Sequence, residues 1–141
     1  MRRVQPGEIY RHAKYYLGAD GKPKPKFFLV LAISSGGDLV LRLLTSKPRP
    51  RTPPCNHDAP YPSYYLGVLG GALNQESSVD LRPRDDLDSD ALALWMRKGI
   101  VTATMQLSTE VFCAVLECVA ADEDTTNAQA RVIRDLLATL H

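Results

Sequence analysis

Apolar residues follow two rhythms along the chain, and the change of rhythm divides it. The first half runs in strand-like stretches. Glu8–Leu17 is rich in Ile and Tyr, types that suit a pleated sheet. Lys26–Ile33 is strongly apolar and predicts a central strand, and Leu39–Thr45 is nearly as apolar, interrupted by Arg42. Tyr64–Val68 and Ser77–Leu81 are shorter candidates. From Ser89 onward the spacing becomes helical. Leu92, Trp95 and Met96 form one stripe, Val111, Phe112, Val115, Leu116 and Val119 a second, and Val132, Ile133, Leu136, Leu137 and Leu140 a third. With Ser89 and Ser108 as N-caps and Glu110 near a positive dipole end, the spacing predicts helices near Ser89–Lys98, Ser108–Ala120 and Thr126–Leu140. Gly99 stops the first helix, and Ile100–Gln106 alternates as a strand behind it.

Between these stretches the turn chemistry is explicit. Gly18–Gly21 and Gly70-Gly71 supply glycines that tolerate positive φ, and Ser34-Ser35-Gly36-Gly37-Asp38 signals a hairpin. Lys22-Pro23-Lys24-Pro25 is expected to stay out of the ladder, because proline lacks the donor. Ser46–Ser63 holds six prolines, which predicts a stiff extended loop without regular structure, of a length that is usually functional or mobile. The order is meander, long loop, short strands, then helices. It predicts an α+β fold, a small barrel or rolled sheet with helices on one side, built as a single domain over residues 1–141. The expected core includes Ile9, Phe28, Val30, Leu41, Leu43, Val79, Phe112, Val115 and Leu116.

Composition narrows the class. The longest apolar run, Phe27–Ile33, is far short of a membrane span, and no apolar signal segment follows Met1-Arg2-Arg3. Three cysteines, Cys55, Cys113 and Cys118, without close metal spacing argue against a disulfide framework or a zinc site, and Cys113 and Cys118 read as small buried hydrophobes of one helix. Together these predict a cytoplasmic protein without membrane, metal or cofactor. The net charge of +1 conceals an asymmetry. Residues 1–51 hold eleven Lys/Arg against three acids, a balance of +8, and the remainder holds six against thirteen, a balance of −7. A basic half points to a polyanion partner. Phosphate-binding glycine motifs, a Gly-x-Ser-x-Gly elbow and a metal spacing among His12, His57 and His141 are absent. Asp85–Asp90 is acidic but lacks the glycine and distal Glu of a calcium loop, so it reads as a helix lead-in.

What remains is a basic surface bearing hydroxyls. Pairing across the Ser34–Asp38 hairpin, nearly symmetric about Gly36, brings Lys26 opposite the Thr45 region. A cation and a hydroxyl at one sheet edge suit a phosphodiester: the cation stabilises charge building on phosphorus and the hydroxyl positions a phosphate oxygen. RNA supplies its own nucleophile, the 2′-hydroxyl. The flanking Lys22, Lys24, Lys47, Arg49 and Arg51 are the candidate RNA-binding residues, and Tyr61, Tyr64 and Tyr65 are available either to stack on bases or to anchor the loop.

Five segments in order carry a family resemblance: Gly7-Glu8-Ile9-Tyr10, Lys26-Phe27-Phe28-Leu29-Val30-Leu31, Leu43-Leu44-Thr45-Ser46, Ser77-Ser78-Val79-Asp80-Leu81, and Leu107-Ser108 with the helix after it. Over about residues 5–120 the chain resembles the MazF/PemK toxins of bacterial type II toxin–antitoxin systems, with 121–141 as an added C-terminal helix. The resemblance implies an SH3-like β-barrel that forms a homodimer, and a metal-independent endoribonuclease acting on single-stranded RNA under the control of an antitoxin protein. It assigns catalysis to Lys26 and to Thr45 or Ser46. Lys26-Phe27 stands where the family has Arg-Pro, and lysine, a point charge, lacks arginine's planar bidentate contact. The alternative is a non-catalytic module binding RNA or a protein.

Overall fold

The computed structural model describes residues 4–83 and 87–140. Eight strands and three helices form among them: β1 (Glu8–Leu17), β2 (Pro23–Ile33), β3 (Asp38–Thr45), β4 (Cys55–Asn56), β5 (Ser63–Gly67), β6 (Ser77–Asp80), β7 (Leu87–Asp88), α1 (Ser89–Arg97), β8 (Val101–Gln106), α2 (Thr109–Ala121) and α3 (Asn127–Leu140). Every strand pair is antiparallel. The pairing order is β4-β5-β6-β3-β2-β1-β8, with β7 attached to β3. The fold is therefore α+β with its helices in the C-terminal half. Among the described residues the strand order does not close on itself, so the expected barrel is not formed by pairing.

The apolar runs are covered on both faces of the open sheet. In β2, Leu29 and Leu31 join one core with Ile9, Leu44, Val79 and the buried faces of α2 and α3. Phe28 and Val30, facing the other way, join a second core with Tyr10, Leu41, Leu43 and Leu92 of α1. A continuous apolar strand needs cover on both faces, and helices supply it. All nine expected core residues are buried, but they divide between the two cores. The α3 stripe packs on its own chain, with Ile133 fully buried and Val132, Leu136, Leu137 and Leu140 against the first core.

Local departures have local causes. β2 begins at Pro23, inside the stretch expected to avoid pairing, and Leu17 lies opposite Pro23. The Gly18 N–H donates to the Lys22 carbonyl, so on that phase the nitrogens of Pro23 and Pro25 point away from β1 and no ladder bond is lost. The proline-rich loop is not wholly irregular, since Cys55-Asn56 pairs with Ser63-Tyr64. The cap of α1 is Asp88 rather than Ser89, its carboxylate accepting from the Asp90 N–H at 2.8 Å; aspartate is an equally good cap. Gly99, at φ +73, ends that helix, and Ser108 caps α2 as expected. Asp85, Asp86 and His141 lie outside the described residues.

Arg42, the interruption in β3, is fully buried. It sits opposite Leu29 and reaches the helical layer. Its guanidinium donates to the carbonyls of Leu41 (2.8 Å) and Leu81 (3.3 Å), to Thr125 Oγ1 (3.4 Å) and to Gln129 Oε1 (3.1 Å). Arg42→Ala is expected to destabilise the fold by about 3 kcal/mol or more, since it removes several buried donors and leaves a cavity. A lower urea midpoint with an unchanged slope checks this.

Candidate functional site

β2 and β3 part company at Phe28 and Leu43. Their register runs Ile33↔Leu39, Val30↔Leu41 and Phe28↔Leu43. Beyond that pair each strand keeps its outer neighbour: Lys26 lies opposite His12 and Lys24 opposite Tyr16 of β1, while Leu44 and Thr45 lie opposite Val79 and Ser78 of β6. A fork opens, and a pocket of about 360 Å³ occupies it. Lys26, Thr45 and Ser46 all line this pocket, together with Tyr16, Asn74, Gln75 and Ser77. The expected convergence of Lys26 and Thr45 is met across the fork rather than through a ladder. Because the strands have separated, Phe27 and Leu44, of opposite parity to Lys26 and Thr45, contribute to the same wall.

Lys26 is not at a strand start. It lies inside β2 and is half-buried. Thr45 Oγ1 accepts from the Lys47 N–H at 3.2 Å, so the hydroxyl also shapes the first turn of the proline-rich loop. Among the described residues that line the pocket, none is a carboxylate or an imidazole. Lys26 is the one Lys or Arg among them.

The five candidate RNA-binding residues lie outside the pocket wall, and three of them have partners of their own. Lys24 pairs with Asp20 at 3.3 Å on the surface. Arg49 lies 4.7 Å from the Tyr61 ring centroid, and Arg82 lies 5.4 Å from the same ring. Arg51 pairs with Glu76 and lies 5.8 Å from the Tyr65 ring centroid. The Tyr65 hydroxyl donates to Glu76 at 3.0 Å. Burial first, then that carboxylate, raises the Tyr65 pKa, with Arg51 opposing. Tyr61 and Tyr65 thus anchor the loop through its arginines. Lys22 and Lys47 are exposed.

A second cluster was not anticipated. Cys55 and Cys118 are joined as a disulfide with Cα atoms 5.8 Å apart, which corrects the reading of Cys118 as an inert apolar residue and removes the cysteine argument for a reducing compartment. Cys113 alone is free, and buried. Beside the bridge, the His57 Nε2 lies 3.2 Å from Cys55 Sγ, and its Nδ1 lies 2.9 Å from Asp122 Oδ1. A sequence signal exists in two halves. Cys55 and His57, two apart in extended chain, share a side; Cys118 and Asp122, four apart at the end of α2, share a helix face. Nothing in the spacing joins the halves across 63 residues.

Among the described residues no helix is long and apolar enough to cross a membrane. The chain matches no protein-family model, no curated protein and no solved structure.

Proposed function

We propose that this chain cleaves single-stranded RNA in the pocket between the parted ends of β2 and β3. One observation carries the reading: Lys26, Thr45 and Ser46 line a single pocket of about 360 Å³. The ammonium of Lys26 faces the charge that builds on phosphorus, and the hydroxyls hold a phosphate oxygen. The 2′-oxygen attacks, the bond to the 5′-oxygen breaks, and the products are a 2′,3′-cyclic phosphate and a 5′-hydroxyl. The 2′-hydroxyl proton passes to solvent and the 5′-oxygen takes one from it, since no carboxylate or imidazole is among the described residues of the wall. In this reading the amides of Asn74 and Gln75, which line the pocket, meet base edges and Tyr16 stacks on a base. The resemblance to MazF/PemK toxins belongs to the same proposal, and with it an SH3-like ancestry for the sheet, a homodimer, an antitoxin partner and a cytoplasmic setting.

The lack of a proton-transfer group among the described lining residues favours one second reading, a module that holds RNA or a protein without cutting it. Incubating the protein with long single-stranded RNA in EDTA and mapping the ends separates the two. Cyclic-phosphate ends support cleavage; retention of intact RNA supports the module.

In either reading the loop cations are unequal. Arg51 is already paired with Glu76, whereas Lys47 is exposed beside Thr45. Lys47→Ala is expected to weaken RNA binding and to lower the salt slope by about one. Arg51→Ala is expected to change that slope less. Titrations at several salt concentrations check both.

A further inference from the structure

We propose that Cys55, His57 and Cys118, once the disulfide is reduced, form a site for a zinc-class divalent cation. The proposal stands apart from the RNA pocket and does not depend on it. One ligand atom from each of the three residues falls within 4.8 Å of the others. The set is two sulfurs and one imidazole nitrogen, the donor chemistry that selects zinc over magnesium or calcium. Two sulfurs serve a metal, whereas a thiol nucleophile paired with a histidine needs only one, so the buried Cys118 favours coordination.

The surroundings are built to hold the imidazole. His57 Nδ1 meets Asp122 Oδ1 at 2.9 Å, and that carboxylate is almost fully buried, its side chain 2% exposed. This contact turns Nε2 toward Cys55 Sγ and fixes the tautomer a metal requires, as carboxylate partners of metal-bound histidines do. Asp122 is itself held. Its backbone N–H donates to the Val119 carbonyl, its carbonyl accepts from Thr125, and its other carboxylate oxygen accepts from the Asp124 N–H at 3.3 Å. His57 is partly exposed, its side chain at 38%, so a tetrahedral ion with three protein ligands keeps a fourth position toward solvent for water. The sulfurs must move to about 3.7 Å apart to take zinc–sulfur bonds of about 2.3 Å, and the Cα separation of 5.8 Å leaves room for side-chain rotation to do this.

The disulfide and the metal exclude each other. A small-molecule thiol reductant supplies two electrons and two protons to the bridge, becoming a disulfide itself and leaving two thiols. Zinc then displaces those two protons and forms two thiolate bonds. In reverse, a small-molecule disulfide takes two electrons from the thiolates, leaves as two thiols after taking up two protons, and the ion departs. Both states tie the proline-rich loop to α2, one by a covalent bond and one by coordination.

The test compares the oxidised chain with the same chain reduced by a phosphine under anaerobic conditions. Cobalt(II) is the probe, read by its sulfur charge-transfer band and by bound metal per chain, with zinc as competitor. One equivalent is expected in the reduced protein and none in the oxidised one. Asp122→Asn is expected to weaken affinity about 10- to 100-fold, and Cys118→Ser to remove the charge-transfer intensity of one sulfur. Far-UV circular dichroism of each variant checks the fold, and the comparison within the wild type needs no variant. Equal metal binding by the oxidised chain, unchanged binding by Cys118→Ser, or no binding by the reduced wild type would overturn the proposal. So would alkylation of Cys55 at the same rate with and without zinc, which would assign the trio to thiol chemistry.

Discussion

Lys26→Ala is expected to lower RNA cleavage by about a hundredfold or more, the usual loss when one donor aimed at developing charge is removed. Lys26 is the one Lys or Arg among the described residues lining the pocket, so none of those neighbours replaces its charge. The effect should fall on the cleavage step and only weakly on RNA affinity, because the surface lysines and arginines around the loop are untouched. Lys26 is half-buried within β2, and the variant's thermal transition must therefore be measured beside its activity. Lys26→Arg separates charge from fold: it keeps the cation and should retain more cleavage than alanine. Thr45→Ala should act in the same direction but less severely. Its hydroxyl also accepts from the Lys47 N–H, so part of its effect comes from the loop turn, and Thr45→Ser should restore that part. Full cleavage by a folded Lys26→Ala chain would remove Lys26 from the mechanism. No cleavage by the wild type on varied RNA would leave the binding module as the better reading.

Periodicity made the elements legible, and their partners less so. Gly37, at φ +89, and the bond from the Ser34 N–H to the Asp38 carbonyl close the hairpin that the glycine pair announces. With that turn known, counting brings Lys26 to the Thr45–Ser46 end of β3, and a register shift between Val30 and Ala32, which counting does not foresee, sets Phe28↔Leu43 and with it Lys26 against Thr45. What counting could not show is that β2 and β3 separate two residues before that pair is reached. Where a strand changes neighbours depends on β1 and β6 competing for its edges, which no local pattern records. The two-sided cores have the same origin. The run Phe28–Ala32 is apolar at every position, and such a run is as consistent with a barrel as with a sheet covered on both faces. Arg42 illustrates a second limit: an arginine in an apolar strand reads as an interruption, but its donors are met by Thr125 and Gln129, more than eighty residues later. The Cys55–Cys118 bridge has no signal that joins its two halves, since one partner sits among prolines and the other on an apolar helix.

Reducing that bridge in the presence of a chelator is expected to cost the fold about 4 kcal/mol, from the chain-entropy model for a closed loop of this size. The bridge spans 63 residues, so it removes many extended states from the unfolded chain. It also fastens the proline-rich loop to α2, where β4 makes only a two-residue pairing with β5. For a chain of this length that cost corresponds to a fall in Tm of roughly 10 °C or more. Thiol counting in denaturant verifies the starting states: one reactive thiol, Cys113, in the oxidised chain and three in the reduced one. The core around Val115, Leu116 and Val119 does not include the bridge as its sole support, so the reduced chain should still fold, with a lower midpoint. Restoring much of the lost Tm by adding zinc to the reduced chain, and none of it by adding magnesium, is the further outcome expected if the thiols and His57 hold a metal. An unchanged Tm on reduction would show that the loop is fastened by its other contacts, the Cys55–Tyr64 pairing and the arginine–tyrosine stacks, and that the bridge adds nothing to them.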